Sequence, residues 1–68
     1  MVREVLDRMP EAVIRQIKAY KQDYRKYEMD YRMRETTRAC ASAYVRGLMH
    51  AGLINNRERQ ALFTYTTV

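Results

Sequence analysis

The sequence predicts an all-α fold: a short N-terminal helix, a long helix packed against a second as an antiparallel hairpin, and a short C-terminal helix with an extended tail. Three observations carry that expectation. Val13, Ile17, Tyr20, Tyr24, Tyr27 and Tyr31 follow at intervals of 4, 3, 4, 3 and 4, a heptad-like stripe on one helix face. Between residues 11 and 51 there is no proline and a single glycine, Gly47. At 68 residues the chain forms one domain, residues 1–68, near the lower size limit for folding without a staple.

Val2, Val5, Leu6 and Met9 recur at i, i+3, i+4 and i+7, the pattern of a short amphipathic helix. Glu4 precedes Arg8 by four, a favourable helical pair. Pro10 suits the first turn of a new helix, where its missing N–H costs nothing, so the chain is expected to bend at Met9–Pro10. Helix two then opens with Glu11 at the positive end of the helix dipole, four residues before Arg15. Asp23 with Lys26, Glu28 with Arg32 and Asp30 with Arg34 are spaced for further pairs.

If the tyrosine stripe continued, its next positions would be Arg34 and Arg38, which are poor core residues. Thr36 and Thr37 between them are β-branched and good N-caps, so a break is expected near Arg34–Thr37. An unbroken helix over 11–51 would be a rod of about 60 Å. Beyond the break, Ala39, Ala43 and Gly47 form a small-residue stripe that would admit the bulky tyrosine face, large against small.

Gly52 is placed to end this helix as a left-handed C-cap, with Leu53 and Ile54 after it. His50 falls in the last turn, where a cation is favoured. Asn55 can cap a helix over about residues 56–63, with Glu58 completing a capping box. Ile54, Ala61, Leu62 and Tyr65 would fold back onto the hairpin, while Phe63–Val68, β-branched and aromatic, reads as the extended tail.

Composition narrows the function. Thirteen Lys and Arg against eight Asp and Glu give a net charge of +5, which favours acidic partners or nucleic acid over a neutral small molecule. Cys40 stands alone in an alanine-rich helical segment and reads as a small apolar residue. His50 lies ten positions away with no second ligand pair, and no phosphate loop or serine motif occurs. No enzyme activity, cofactor, metal or small-molecule substrate is expected. Residues 1–9 are charged throughout and no stretch is apolar enough to span a membrane, so a cytoplasmic protein is expected. A core this small supplies about 3–5 kcal/mol net, and with disulfides and metal set aside a homodimer is the natural supplement.

The run Tyr44–Ile54 resembles the end of the recognition helix in winged helix-turn-helix regulators, where an arginine and a leucine lead to a glycine and two apolar residues entering the wing. That resemblance implies a wing hairpin over Asn55–Val68 with Arg57 and Arg59 at its tip. It covers about a third of the chain, and the helix before it lacks a clear turn.

Two functional expectations result. The first is a small basic regulatory or inhibitory protein that docks on a larger protein through Tyr20, Tyr24, Tyr27 and Tyr31, since tyrosine and arginine dominate binding hot spots. Met29 and Met33, outside the stripe, would add an adaptable contact. The alternative is a nucleic-acid-binding regulator, either winged or a basic helical hairpin. In it Arg15, Lys18, Lys21, Arg25 and Arg32 contact phosphates, the cations being interleaved with the rings.

Overall fold

The computed structural model describes residues 1–68 and contains four helices and no strand: α1 (Val2–Asp7), α2 (Glu11–Lys26), α3 (Tyr31–His50) and α4 (Asn56–Thr66). The longer three pack each against the other two, and α1 lies on α4. The core sits where they meet. Ile17 of α2, Val45 and Leu48 of α3 and Leu62 of α4 form one buried cluster, which Val5, Leu6, Met9 and Ile54 complete from α1 and the connections. Of the apolar positions read in the N-terminal segment, Val5, Leu6 and Met9 are buried and Val2 is partly buried. No helix of the chain is long and apolar enough to cross a membrane.

Pro10 stands at the N-cap of α2 with φ −57° and ψ 149°, so the chain turns there and the helix begins at Glu11. The break between α2 and α3 falls earlier than the threonines suggest. Helix α2 ends at Lys26, and Asp30 caps α3 by accepting a hydrogen bond from the Met33 N–H at 3.1 Å. The spacing pairs Asp30 with Arg34, whereas in the structure Asp30 is a cap. The cap prevails because it satisfies a helix-end N–H that would otherwise lack a partner, worth about 1 kcal/mol. Thr36 and Thr37 remain inside α3: the Thr36 hydroxyl donates to the Arg32 carbonyl at 3.0 Å, and Thr37 is buried.

The inward row of α3 is Thr37, Ala41, Val45 and Leu48, not the small-residue stripe. Ala39, Ala43 and Gly47 are exposed, and a Cβ built on Gly47 would meet nothing within 4 Å. Both rows have helical spacing, but burying Val45 and Leu48 removes far more apolar surface from water than burying two alanines and a glycine.

Gly52 adopts φ +80°, and the Leu53 and Gly52 N–H groups donate to the Leu48 and Met49 carbonyls, each at 3.0 Å. This is a Schellman ending, which needs the left-handed residue at that point. Asn55 and Glu58 form the expected capping box at the start of α4. The helix then runs through Thr66, overturning both the extended tail and the wing. Thr66 is buried, and the Thr66 and Thr67 hydroxyls both donate to the Phe63 carbonyl, at 2.7 and 2.9 Å. Such back-bonding lets threonine end a helix, whereas an extended segment here would leave backbone groups with no strand to pair.

Of the short-range charge pairs, Glu11 with Arg15 forms at 3.0 Å. Glu4 instead meets the N-terminal ammonium at 2.8 Å and Arg8 turns to Glu58. The spacings at Asp23–Lys26, Glu28–Arg32 and Asp30–Arg34 do not produce ion pairs; Glu28–Arg32 straddles the break, and the Asp30 carboxylate is engaged in capping α3.

Candidate functional site

The tyrosine stripe supplies internal packing over most of its length. Tyr24 is buried, 8% exposed, and the Arg34 guanidinium stacks over its ring with the central carbon 4.3 Å from the centroid. Tyr20 meets Tyr44 of α3 edge-on, with centroids 5.6 Å apart and planes at 61°. Burial, followed by Cys40 and Tyr44 nearby, pushes the Tyr20 phenol above its ordinary range, so it stays neutral. Tyr27, at the C-cap of α2, is half-buried with the Lys26 ammonium 5.6 Å from its centroid. Tyr31 belongs to the far side of the break and is 77% exposed. The earlier break therefore cuts the six-residue stripe, leaving its last ring outside.

That ring lies in an exposed apolar tip at the α2–α3 turn. Met29 is 97% exposed and Met33 39%, and together with Tyr31 they alternate with Asp30 and Arg32. Single exposed hydrophobic residues are unremarkable on a protein surface, but here three fall within five positions, Tyr31 and Met33 projecting from different sides of the first turn of α3.

The five residues expected at phosphates separate into two groups. Arg15, Lys18 and Arg25 lie exposed on the outer face of α2, and Arg32 is exposed near the start of α3. Lys21 is different. It is half-buried, its ammonium donates to the Tyr65 carbonyl at 2.8 Å, and the charge sits 4.3 Å from the Tyr65 ring centroid. Lys21 thus satisfies a carbonyl in the last turn of α4, the negative end of that helix.

A shallow groove lies between α1, α2 and the end of α4, lined by apolar Val2, Leu6, Ile14 and Tyr65 and by charged Arg3, Asp7 and Lys18. Cys40 and His50 are both exposed and lie on the same helix, about 15 Å apart along its axis.

Sequence reasoning missed the Arg34–Tyr24 stack, the Lys21–Tyr65 contact and the Arg8–Glu58 pair. Local spacing carries no signal for the last two, which join residues more than forty positions apart. No protein-family model matches this chain, and no curated protein or solved structure resembles it closely enough to count as a match.

Proposed function

We propose that this protein is a small, non-enzymatic regulatory module that docks on a larger protein through the α2–α3 tip. The observation supporting this reading is the exposure of Met29 in the α2–α3 turn and of Tyr31 and Met33 in the first turn of α3. Folding gains nothing by leaving three large apolar side chains in water, while a partner's pocket gains about 25 cal/mol for each square ångström it covers. Methionine adapts to an irregular surface, tyrosine is a common anchor, and Asp30 and Arg32 provide the polar rim typical of interfaces. In this reading α2 and α3 form an antiparallel hairpin that holds the tip away from the core.

The test is recovery of bound proteins from the native cell after nuclease treatment, using wild type and the M29S/Y31S/M33S variant. A protein retained by wild type and lost from the variant supports the reading. Equal retention by both, with the variant's helicity intact, overturns it. A homodimer is the second reading, favoured by a core of ten buried apolar residues, small for an independent fold. Sedimentation at micromolar concentration tests it, and a monomeric mass removes it.

A further inference from the structure

The outer face of α2 carries Arg15, Lys18, Gln22 and Arg25 at intervals of 3, 4 and 3, all four exposed. Lys18 and Arg25 take part in no ion pair. Glu11 is the one acid on this row; it lies at the N-terminal end, 3.0 Å from Arg15. We propose that this row is a docking surface for duplex nucleic acid, held through the phosphates of the backbone and indifferent to base sequence. The proposal is independent of the tip and stands whether or not the tip binds a protein.

The occupant follows from charge and from what the row lacks. The chain carries a net charge of +5, and this row concentrates three cations against one already paired carboxylate. From Arg15 to Arg25 it is about 15 Å long. A duplex presents one phosphate per strand for about every 3.4 Å of its axis, so a groove edge offers each cation a separate phosphate. Gln22, between Lys18 and Arg25, adds a neutral donor of the kind that also contacts backbone oxygens.

An anionic membrane would need an apolar face to enter the headgroup boundary. The apolar face of α2 is turned into the protein, where Ile17 and Tyr24 are buried, and the outer row has no large apolar side chain. A single strand would need rings on which to stack its bases. Tyr20 and Tyr24 face the interior, against Tyr44 and Arg34, and the exposed ring of Tyr31 belongs to α3, off this row. Of the membrane, the single strand and the duplex, the duplex is the polyanion that asks for nothing beyond what this face supplies.

Fluorescence anisotropy of a labelled DNA duplex of about 20 base pairs, titrated with the full chain at several salt concentrations, tests the proposal. Each neutralised phosphate contributes about −0.9 to the slope of log affinity against log salt, so three cations give a slope of about −3. K18E/R25E is expected to weaken binding at least about tenfold at low salt and to flatten the slope by about 2. K18Q/R25Q should show a smaller loss in the same direction. Both pairs of positions are exposed, and an unchanged helical spectrum verifies folding. M29S/Y31S/M33S should bind the duplex as wild type does. The absence of any anisotropy change at about 50 mM salt overturns the proposal. So does binding unaffected by either double substitution, loss of binding in the tip variant, or capture by phosphatidylserine vesicles without capture by the duplex.

Discussion

Arg8 and Glu58, fifty positions apart, meet at 2.6 Å and tie the end of α1 to the first turn of α4. The same Glu58 oxygen accepts the Asn55 N–H at 2.9 Å, while the Asn55 side chain accepts the Glu58 N–H at 2.8 Å. One carboxylate thus completes a helix cap and holds a neighbouring helix. Arg8 extends the link by donating to the Leu53 carbonyl at 3.3 Å. The Arg8 hydrogen bond, with the Asn55 N–H second, holds the Glu58 carboxyl below the ordinary carboxylate range, and Glu58 in turn raises Arg8.

This arrangement makes stability depend on pH in a definite direction. Folded Glu58 binds a proton less readily than it does in the unfolded chain, so acid favours the unfolded state. The contribution is complete above the unfolded carboxylate value of about 4.3 and is lost as pH falls through the depressed folded value. E58Q keeps an acceptor for Asn55 but removes the titration. Denaturant midpoints measured between about pH 7 and pH 3 should show wild type above E58Q at neutral pH, with the gap narrowing in acid. Parallel lines would mean that the pair does not stabilise the fold.

The two ends of the tyrosine stripe should respond oppositely to truncation. Tyr24 is buried beneath Arg34, and Tyr24→Ala leaves both a cavity and a cation without its ring, a loss of about 3–5 kcal/mol. That equals the whole net stability of about 3–5 kcal/mol that a core of this size supplies, so roughly half or more of the variant should be unfolded by circular dichroism. Tyr31→Ala, at a 77% exposed position, should shift stability by no more than about 0.5 kcal/mol. Equal effects would show that the stripe packs as one continuous seam.

The legible parts of this fold are those fixed by nearby residues. The α1 apolar pattern, the Pro10 bend, the Gly52 ending and the Asn55–Glu58 box each rest on side chains within a few positions of one another, and each appears in the structure. The α2–α3 break was harder to place because neither glycine nor proline marks it, and Asp30 has a competing helical partner in Arg34. The inward face of α3 was ambiguous because two rows, Ala39–Ala43–Gly47 and Thr37–Ala41–Val45–Leu48, both fit a helix. Only the volume each row buries decides between them. For the candidate site, spacing grouped Lys21 with its exposed neighbours, since its distinguishing partner, Tyr65, lies forty-four positions away.

That distinction gives the sharpest prediction about the cations of α2. Lys18 and Lys21 are three residues apart on one helix and have the same intrinsic helix propensity, yet only Lys21 carries a tertiary hydrogen bond. Lys21→Ala removes a charged donor from the Tyr65 carbonyl and a cation from its ring, leaving the last turn of α4 with an unsatisfied, part-buried acceptor. The expected loss is about 1–3 kcal/mol. Lys18→Ala removes an exposed side chain and should change stability by less than about 0.5 kcal/mol. Urea denaturation of the two variants measures both. If Lys18→Ala costs as much as Lys21→Ala, Lys18 is itself part of the packed structure and is not free to meet a phosphate. A silent Lys18→Ala beside a destabilised Lys21→Ala would separate the lysine that closes the bundle from the one left for a partner.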